Sequence, residues 1–98
     1  YELDELYTKI NNIGKVDLIL SGHEHNTQHI YIPDKPNMVI CGVGSLIEEN
    51  IKFYNNEELK FCSNTLGCGK IDFFKNTMNI YFYNVEGEKE YSFIVNKI

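Results

Sequence analysis

The sequence predicts a mixed α/β chain: one amphipathic helix, one buried strand directly after it, then mostly antiparallel β-hairpins. Three observations carry that expectation. Leu3, Leu6, Tyr7 and Ile10 recur at helical spacing. Val16 to Leu20 is a short, mostly apolar run. Near the end, Met78, Ile80 and Phe82 alternate with Asn79, Tyr81 and Tyr83, the period of two expected of a sheet with one more polar face.

The elements follow in order. Glu2, Asp4 and Glu5 stand where the helix dipole favours acids, and Gly14 is the stop. The first dozen residues therefore form a helix laid by one face on a sheet. Val16-Asp17-Leu18-Ile19-Leu20 is the buried strand, ended by Ser21-Gly22. Gln28 to Ile32 and Met38 to Cys41 are strand segments, separated by the turn Pro33-Asp34-Lys35-Pro36. Gly42-Val43-Gly44-Ser45 is a tight loop, residues 46–56 a surface excursion, and Leu59-Lys60-Phe61 a short strand. Lys70 to Phe74, Met78 to Tyr83 and Glu90 to Val95 are the last three strands, with turns at Lys75-Asn76-Thr77 and Glu86-Gly87-Glu88. With no repeat, low-complexity tract or linker, the expectation is one structural unit.

Composition excludes some functions. The chain has 98 residues, 43% hydrophobic and 13% aromatic, which suits a folded, strand-rich object. A formal charge of −5, with acids scattered along the chain, gives no electrostatic case for nucleic acid or an anionic membrane surface. No apolar run approaches the ~20 residues that span a bilayer. Tyr1 is not an initiator methionine and the chain opens inside the helical pattern, so it is expected to be a piece of a longer protein. Cys41, Cys62 and Cys68 form no Cys-x-x-Cys motif, which argues against a thiolate zinc site. Cys62 and Cys68 could bridge across a glycine-containing loop, and Cys41 reads as a buried thiol.

One segment could do chemistry: Ser21-Gly22-His23-Glu24-His25-Asn26. Two histidines one residue apart follow the carboxyl end of a buried strand, the edge where open α/β sheets bind ligands. Gly22 would let the backbone turn sharply. Neutral imidazole is a common metal ligand, and a two-metal site holds its ions ~3.5–4 Å apart, so one loop can serve both. On spacing alone, solvated loop histidines are an equal reading.

The stretch Ser21-Gly22-His23-Glu24-His25-Asn26-Thr27-Gln28 resembles the Gly-His-x-His motif of the calcineurin-like metallophosphoesterases, and its flanks resemble the small, animal-type purple acid phosphatases. Cys41-Gly42-Val43-Gly44-Ser45 is similar to their apolar strand ending in Gly-x-Gly-Asn/Ser. Leu59-Lys60-Phe61, Leu66-Gly67-Cys68-Gly69 and the closing hairpins keep the family's order. The resemblance covers essentially the whole chain, as the C-terminal part of one such phosphoesterase domain whose fold is an αββα sandwich.

It implies that His23 ligates an exchangeable divalent metal (Fe, Zn or Mn) and His25 a ferric ion. Asn26 and Gln28 would stiffen the loop, Glu24 would face solvent, and His29 would be structural or exposed. No catalytic residue proper falls in this piece. The remaining ligands would lie upstream, in the rest of the same polypeptide. The implied activity is hydrolysis of phosphate monoesters by a metal-bound hydroxide at a binuclear Fe(III)–M(II) centre. It would be exercised by the full-length protein and not by the fragment, in a secreted, lysosomal or vacuolar setting. The alternative is a catalytically silent relative of the glideosome-associated type, a scaffold for protein partners. Retention of both His23 and His25 favours the enzyme.

Overall fold

The computed structural model describes residues 2–22, 24–44 and 57–97. Among them one helix, α1 (Glu2–Ile13), precedes seven strands: β1 (Leu18–Ser21), β2 (Thr27–Ile30), β3 (Asn37–Cys41), β4 (Leu59–Ser63), β5 (Gly67–Phe73), β6 (Thr77–Asn84) and β7 (Lys89–Asn96). The mixed α/β class is as expected, and each expected strand has its counterpart. Val16, Asp17, Tyr31 and Ile32 fall outside the strands, and β5 begins three residues before Lys70. The surface excursion expected over residues 46–56 lies outside the described residues, as does Ser45.

The strands make two sheets. The first has the order β1-β3-β2-β4, the second β5-β6-β7. β1 runs parallel to β3, while β2 is antiparallel to both β3 and β4. The second sheet is antiparallel throughout. Inward residues alternate strictly on β6, where Met78, Ile80 and Phe82 are buried. With Val39 of β3 and Val95 of β7 they form the core, and Leu18, Cys41, Phe61, Ile71, Tyr91 and Phe93 pack against it. Both sheets contribute, so the core is the space between them.

Aromatic rings fill much of that space. Phe61 of β4 stacks on Tyr91 of β7, with centroids 4.5 Å apart, and faces Phe82 at 5.7 Å. Successive residues Met38 and Val39 are both buried. Strand residues alternate between faces, so β3 is covered on both. One cover is the second sheet and the other is α1, whose Tyr7 is 2% exposed and lies under the Lys35 ammonium at 5.6 Å. Gly14 ends the helix as expected: its φ is +141° and its N–H still reaches Ile10 O at 3.4 Å.

The burial expected of the 16–20 strand is not realised within these residues. Leu18 and Ile19 are half-buried, but Leu20 is 58% exposed and Ser21 is exposed too. The reason is topological: β1 is an edge strand whose described neighbour is β3 alone. Ile13, just before it, is also bare, at 80% exposed.

The strand directions give the molecule two poles. Gly67, the first residue of β5, donates to Val43 O at 3.2 Å, just beyond the end of β3. The carboxyl ends of β1 and β3 therefore meet the start of β5 and the β6–β7 turn. At the opposite pole a cleft of about 950 Å³ opens among the end of α1, the start of β1, the β2–β3 turn and the end of β7.

Candidate functional site

The Gly22–Asn26 loop leaves β1 at the first pole, where the parallel strands β1 and β3 both end. Within it Glu24 N–H donates to Gly22 O and Asn26 N–H to Glu24 O, each at 2.9 Å. These are three-residue turns in succession, and they bring the chain round to β2 in five residues. Asn26 O then accepts from Gly42 N–H at 3.1 Å, tying the loop to the end of β3. Gly22 is not needed for this path. Its φ is not positive, and a Cβ there would meet nothing within 4 Å. The expectation that Gly22 lets the backbone turn sharply therefore finds no support in its conformation or its surroundings.

The expected site residues fall into three groups. His23 lies outside the described residues. His25 is half-buried on the loop, and Glu24 is exposed, as expected. Asn26 and Gln28 are brought together, Gln28 Nε2 donating to Asn26 Oδ1 at 2.8 Å. Asn26 is far more buried than a surface polar residue, at 1% exposed. Its Nδ2 is buried with no hydrogen-bond partner among the described residues.

As a metal centre, this part of the molecule is incomplete. Among the described residues no group of three His, Cys, Asp or Glu side chains could hold an ion. The donor chemistry of the loop fits one or two imidazole ligands, with the remaining donors coming from elsewhere. The thiols do not supply them. Cys41, Cys62 and Cys68 are all free, Cys62 and Cys68 exposed and Cys41 half-buried. The bridge considered between Cys62 and Cys68 is not formed. Burial pushes the Cys41 thiol up in pKa, against a hydrogen bond with Thr27 that favours the thiolate.

One buried polar group was not legible as such in the sequence. His29, on β2, is 5% exposed and faces the second sheet. Its ring stacks on Phe93 with centroids 3.6 Å apart and planes within 6°. Nε2 lies 2.7 Å from Asn37 Oδ1 and Nδ1 lies 3.0 Å from Tyr91 OH. An amide oxygen only accepts, so Nε2 carries the proton, and Nδ1 accepts from the Tyr91 hydroxyl. Burial holds the imidazole below its ordinary pKa, the Asn37 hydrogen bond opposes this, and Lys60 adds to the lowering. His29 is a clasp between sheets and takes no part in the loop.

Comparisons with known proteins agree with this architecture. The chain is 29% identical over 101 residues to purple acid phosphatase 4 of Arabidopsis thaliana, covering 99% of this chain and 29% of that protein. Its fold matches part of GAP50, the anchor in the inner membrane complex of Plasmodium, with a TM-score of 0.84 at 24% identity, over 99% of this chain and 30% of that one. The chain thus spans less than a third of either protein. No family model matches it.

Proposed function

We propose that these residues are the C-terminal part of a metallophosphoesterase domain of the purple acid phosphatase type, and that His23 and His25 hold its two metals, Fe(III) and a second divalent ion. The observation that carries the reading is the position of the Gly-His-x-His loop, at the carboxyl ends of the parallel pair β1 and β3. The distant similarity to a purple acid phosphatase along the whole chain supports it. So does the bare β1 edge with exposed Leu20, which upstream parts of the same polypeptide would cover.

In this reading the histidines move no proton. They are oriented ligands, and neutral imidazole serves best when its second nitrogen is fixed by an acceptor. The loop that carries them is held by the Asn26 O···H–N Gly42 bond and by the Gln28–Asn26 side-chain pair. When bound, two cations would orient a phosphomonoester, offset charge in its transition state and supply the nucleophile from water. The full-length protein would act in a secreted, lysosomal or vacuolar compartment.

A second reading is a catalytically silent scaffold that binds protein partners, favoured by the fold match to GAP50. One experiment separates the two. Full-length protein is assayed for bound iron, zinc and manganese and for hydrolysis of para-nitrophenyl phosphate, beside His23→Ala and His25→Ala. The enzyme reading expects two metals per chain, and loss of metal with at least a hundredfold fall in kcat in each variant, on the scale of losing a catalytic metal's several kcal/mol of stabilisation. Metal-free, inactive wild-type protein would leave the scaffold.

A further inference from the structure

We propose that Asn26 is a positioning residue for the metal site: its Nδ2 donates to a metal-ligating carboxylate supplied by the upstream part of the same polypeptide, a role that rests on the reading of the histidine loop as metal-binding. Asn26 is 1% exposed and directly follows His25. Three of its four polar groups are spent within the chain. The backbone N–H donates to Glu24 O at 2.9 Å, the backbone O accepts from Gly42 N–H at 3.1 Å, and Oδ1 accepts from Gln28 Nε2 at 2.8 Å. Nδ2 is left over, buried with no hydrogen-bond partner among the described residues. With Oδ1 turned to Gln28, that donor is directed elsewhere. A buried N–H without an acceptor is rare in folded proteins and costs free energy, so it needs a reason.

Packing between the sheets does not supply that reason. Thr27, the next residue, is 4% exposed, and its side chain bonds Cys41, which packs against the inter-sheet core. Successive residues of an extended chain face opposite ways. The Asn26 amide is therefore turned from that core, to the side of Gln28.

An acceptor could come from solvent, from a trapped water or from the protein. A phosphate arriving from solvent does not reach an atom this deep. A trapped water needs about two to four polar partners, and the other polar groups of Asn26 are already engaged. Among protein acceptors a metal-ligating carboxylate gains most. One of its oxygens binds the ion, and the other takes a charge-assisted hydrogen bond that orients it. Glu24 on the loop is exposed, and no three donors converge among the described residues, so the carboxylate is assigned to the upstream polypeptide.

The test uses full-length protein, zinc as the probe and competition with a chelator as the readout of affinity. Asn26→Asp keeps the size and an oxygen for Gln28, but replaces the donor by a second carboxylate oxygen. Gln28→Leu removes the side-chain pair and leaves Nδ2 in place. Zinc affinity is expected to fall about 10–100-fold in Asn26→Asp, the scale of losing the partner of a metal ligand. It should stay within about threefold of wild type in Gln28→Leu. Urea unfolding of the metal-free proteins establishes that each variant is folded and separates lost packing from lost affinity. Where Asn26→Asp does not fold, a crystal structure of the zinc-loaded wild type decides: Nδ2 is expected within about 3.2 Å of a metal-ligating carboxylate oxygen. The proposal is overturned if Asn26→Asp binds zinc as wild type does, if both variants lose affinity equally, or if Nδ2 in that crystal structure meets a water or a backbone carbonyl. Wild-type protein that binds no zinc would take down the metal-site reading itself, and this proposal with it.

Discussion

Replacing His29 tests the inter-sheet clasp, in both size and pH dependence. The ring is 5% exposed, stacked on Phe93 at 3.6 Å, and bonded through both nitrogens. His29→Ala forfeits the stacking, about 0.5–1.5 kcal/mol, and two hydrogen bonds at about 1 kcal/mol each. It also leaves a cavity between the sheets. The sum is a loss of about 3–4 kcal/mol, within the range for large-to-small core changes. His29→Phe keeps the volume and the stack but leaves Asn37 Oδ1 and Tyr91 OH without their partner. Both residues are only half-buried, so water can reach them and the cost should be about 1–2 kcal/mol. The pH arm follows from linkage. Burial depresses the folded pKa below the ordinary 6.5, so the unfolded chain binds the proton first. The histidine's contribution is whole above pH 6.5 and is lost as pH falls from there through the folded pKa. The slope can reach about 1.4 kcal/mol per pH unit inside that window and vanishes below it. Urea unfolding of the full-length protein across the window, wild type against His29→Phe, isolates this term. A cost under about 1 kcal/mol for His29→Ala, or identical acid sensitivity in the Phe variant, would refute the clasp.

Three further outcomes are expected. Gly67→Ala places a Cβ 2.0 Å from Tyr83 O, so the start of β5 must part from β6 at a cost of at least 2 kcal/mol, roughly, whereas Gly22→Ala should change stability by no more than about 0.5 kcal/mol; paired thermal melts decide. Tyr7→Phe should be neutral or stabilising by up to about 1 kcal/mol, because the Tyr7 hydroxyl is buried with no hydrogen-bond partner among the described residues; a loss larger than that reveals a partner. Asn26→Ala removes a buried side chain and the acceptor of Gln28, so about 2 kcal/mol should go. If the loop serves a metal centre, metal content measured on folded protein should fall as well; unchanged occupancy would mean that the loop holds its shape without Asn26.

What the sequence made legible was local. Gly14 ended the helix, the turns at 75–77 and 86–88 joined their strands, and the alternation along Met78 to Tyr83 named the inward residues of β6. Long-range pairing left no such trace. β1 pairs with β3 across the whole of β2, and nothing in Val16 to Leu20 distinguishes an edge from an interior position. The start of β5 was missed because Gly67 and Gly69 carry no side chains to alternate. Yet Gly67 lies too close to Tyr83 for a Cβ, and a Cβ on Gly69 would touch Cys41 Sγ at 3.6 Å. The depth at which His29 and Asn26 are buried left no trace for the opposite reason. Both are polar residues at buried positions, and a hydrophobic pattern cannot register a side chain whose burial depends on partners 62 residues away, as His29 depends on Tyr91.

The same division explains why the loop was recognised more readily than its chemistry. A Gly-His-x-His stretch after a strand is a local pattern, and its backbone path is set locally too, by two tight turns and one bond to Gly42. A metal centre is a non-local object whose ligands converge from several strands. Among the described residues no three donors converge, so if the loop serves such a centre its other ligands lie elsewhere. The 98 residues are therefore self-sufficient on the side where the sheets face each other, through the aromatic stack and the His29 clasp. On the side of β1, Ile13 and Leu20 are left exposed. The deepest polar group of the loop is Asn26, whose Nδ2 has no hydrogen-bond partner among the described residues. If the loop serves a metal centre, loss of Asn26 should register in both folding and metal content, while loss of His29 should register in folding alone.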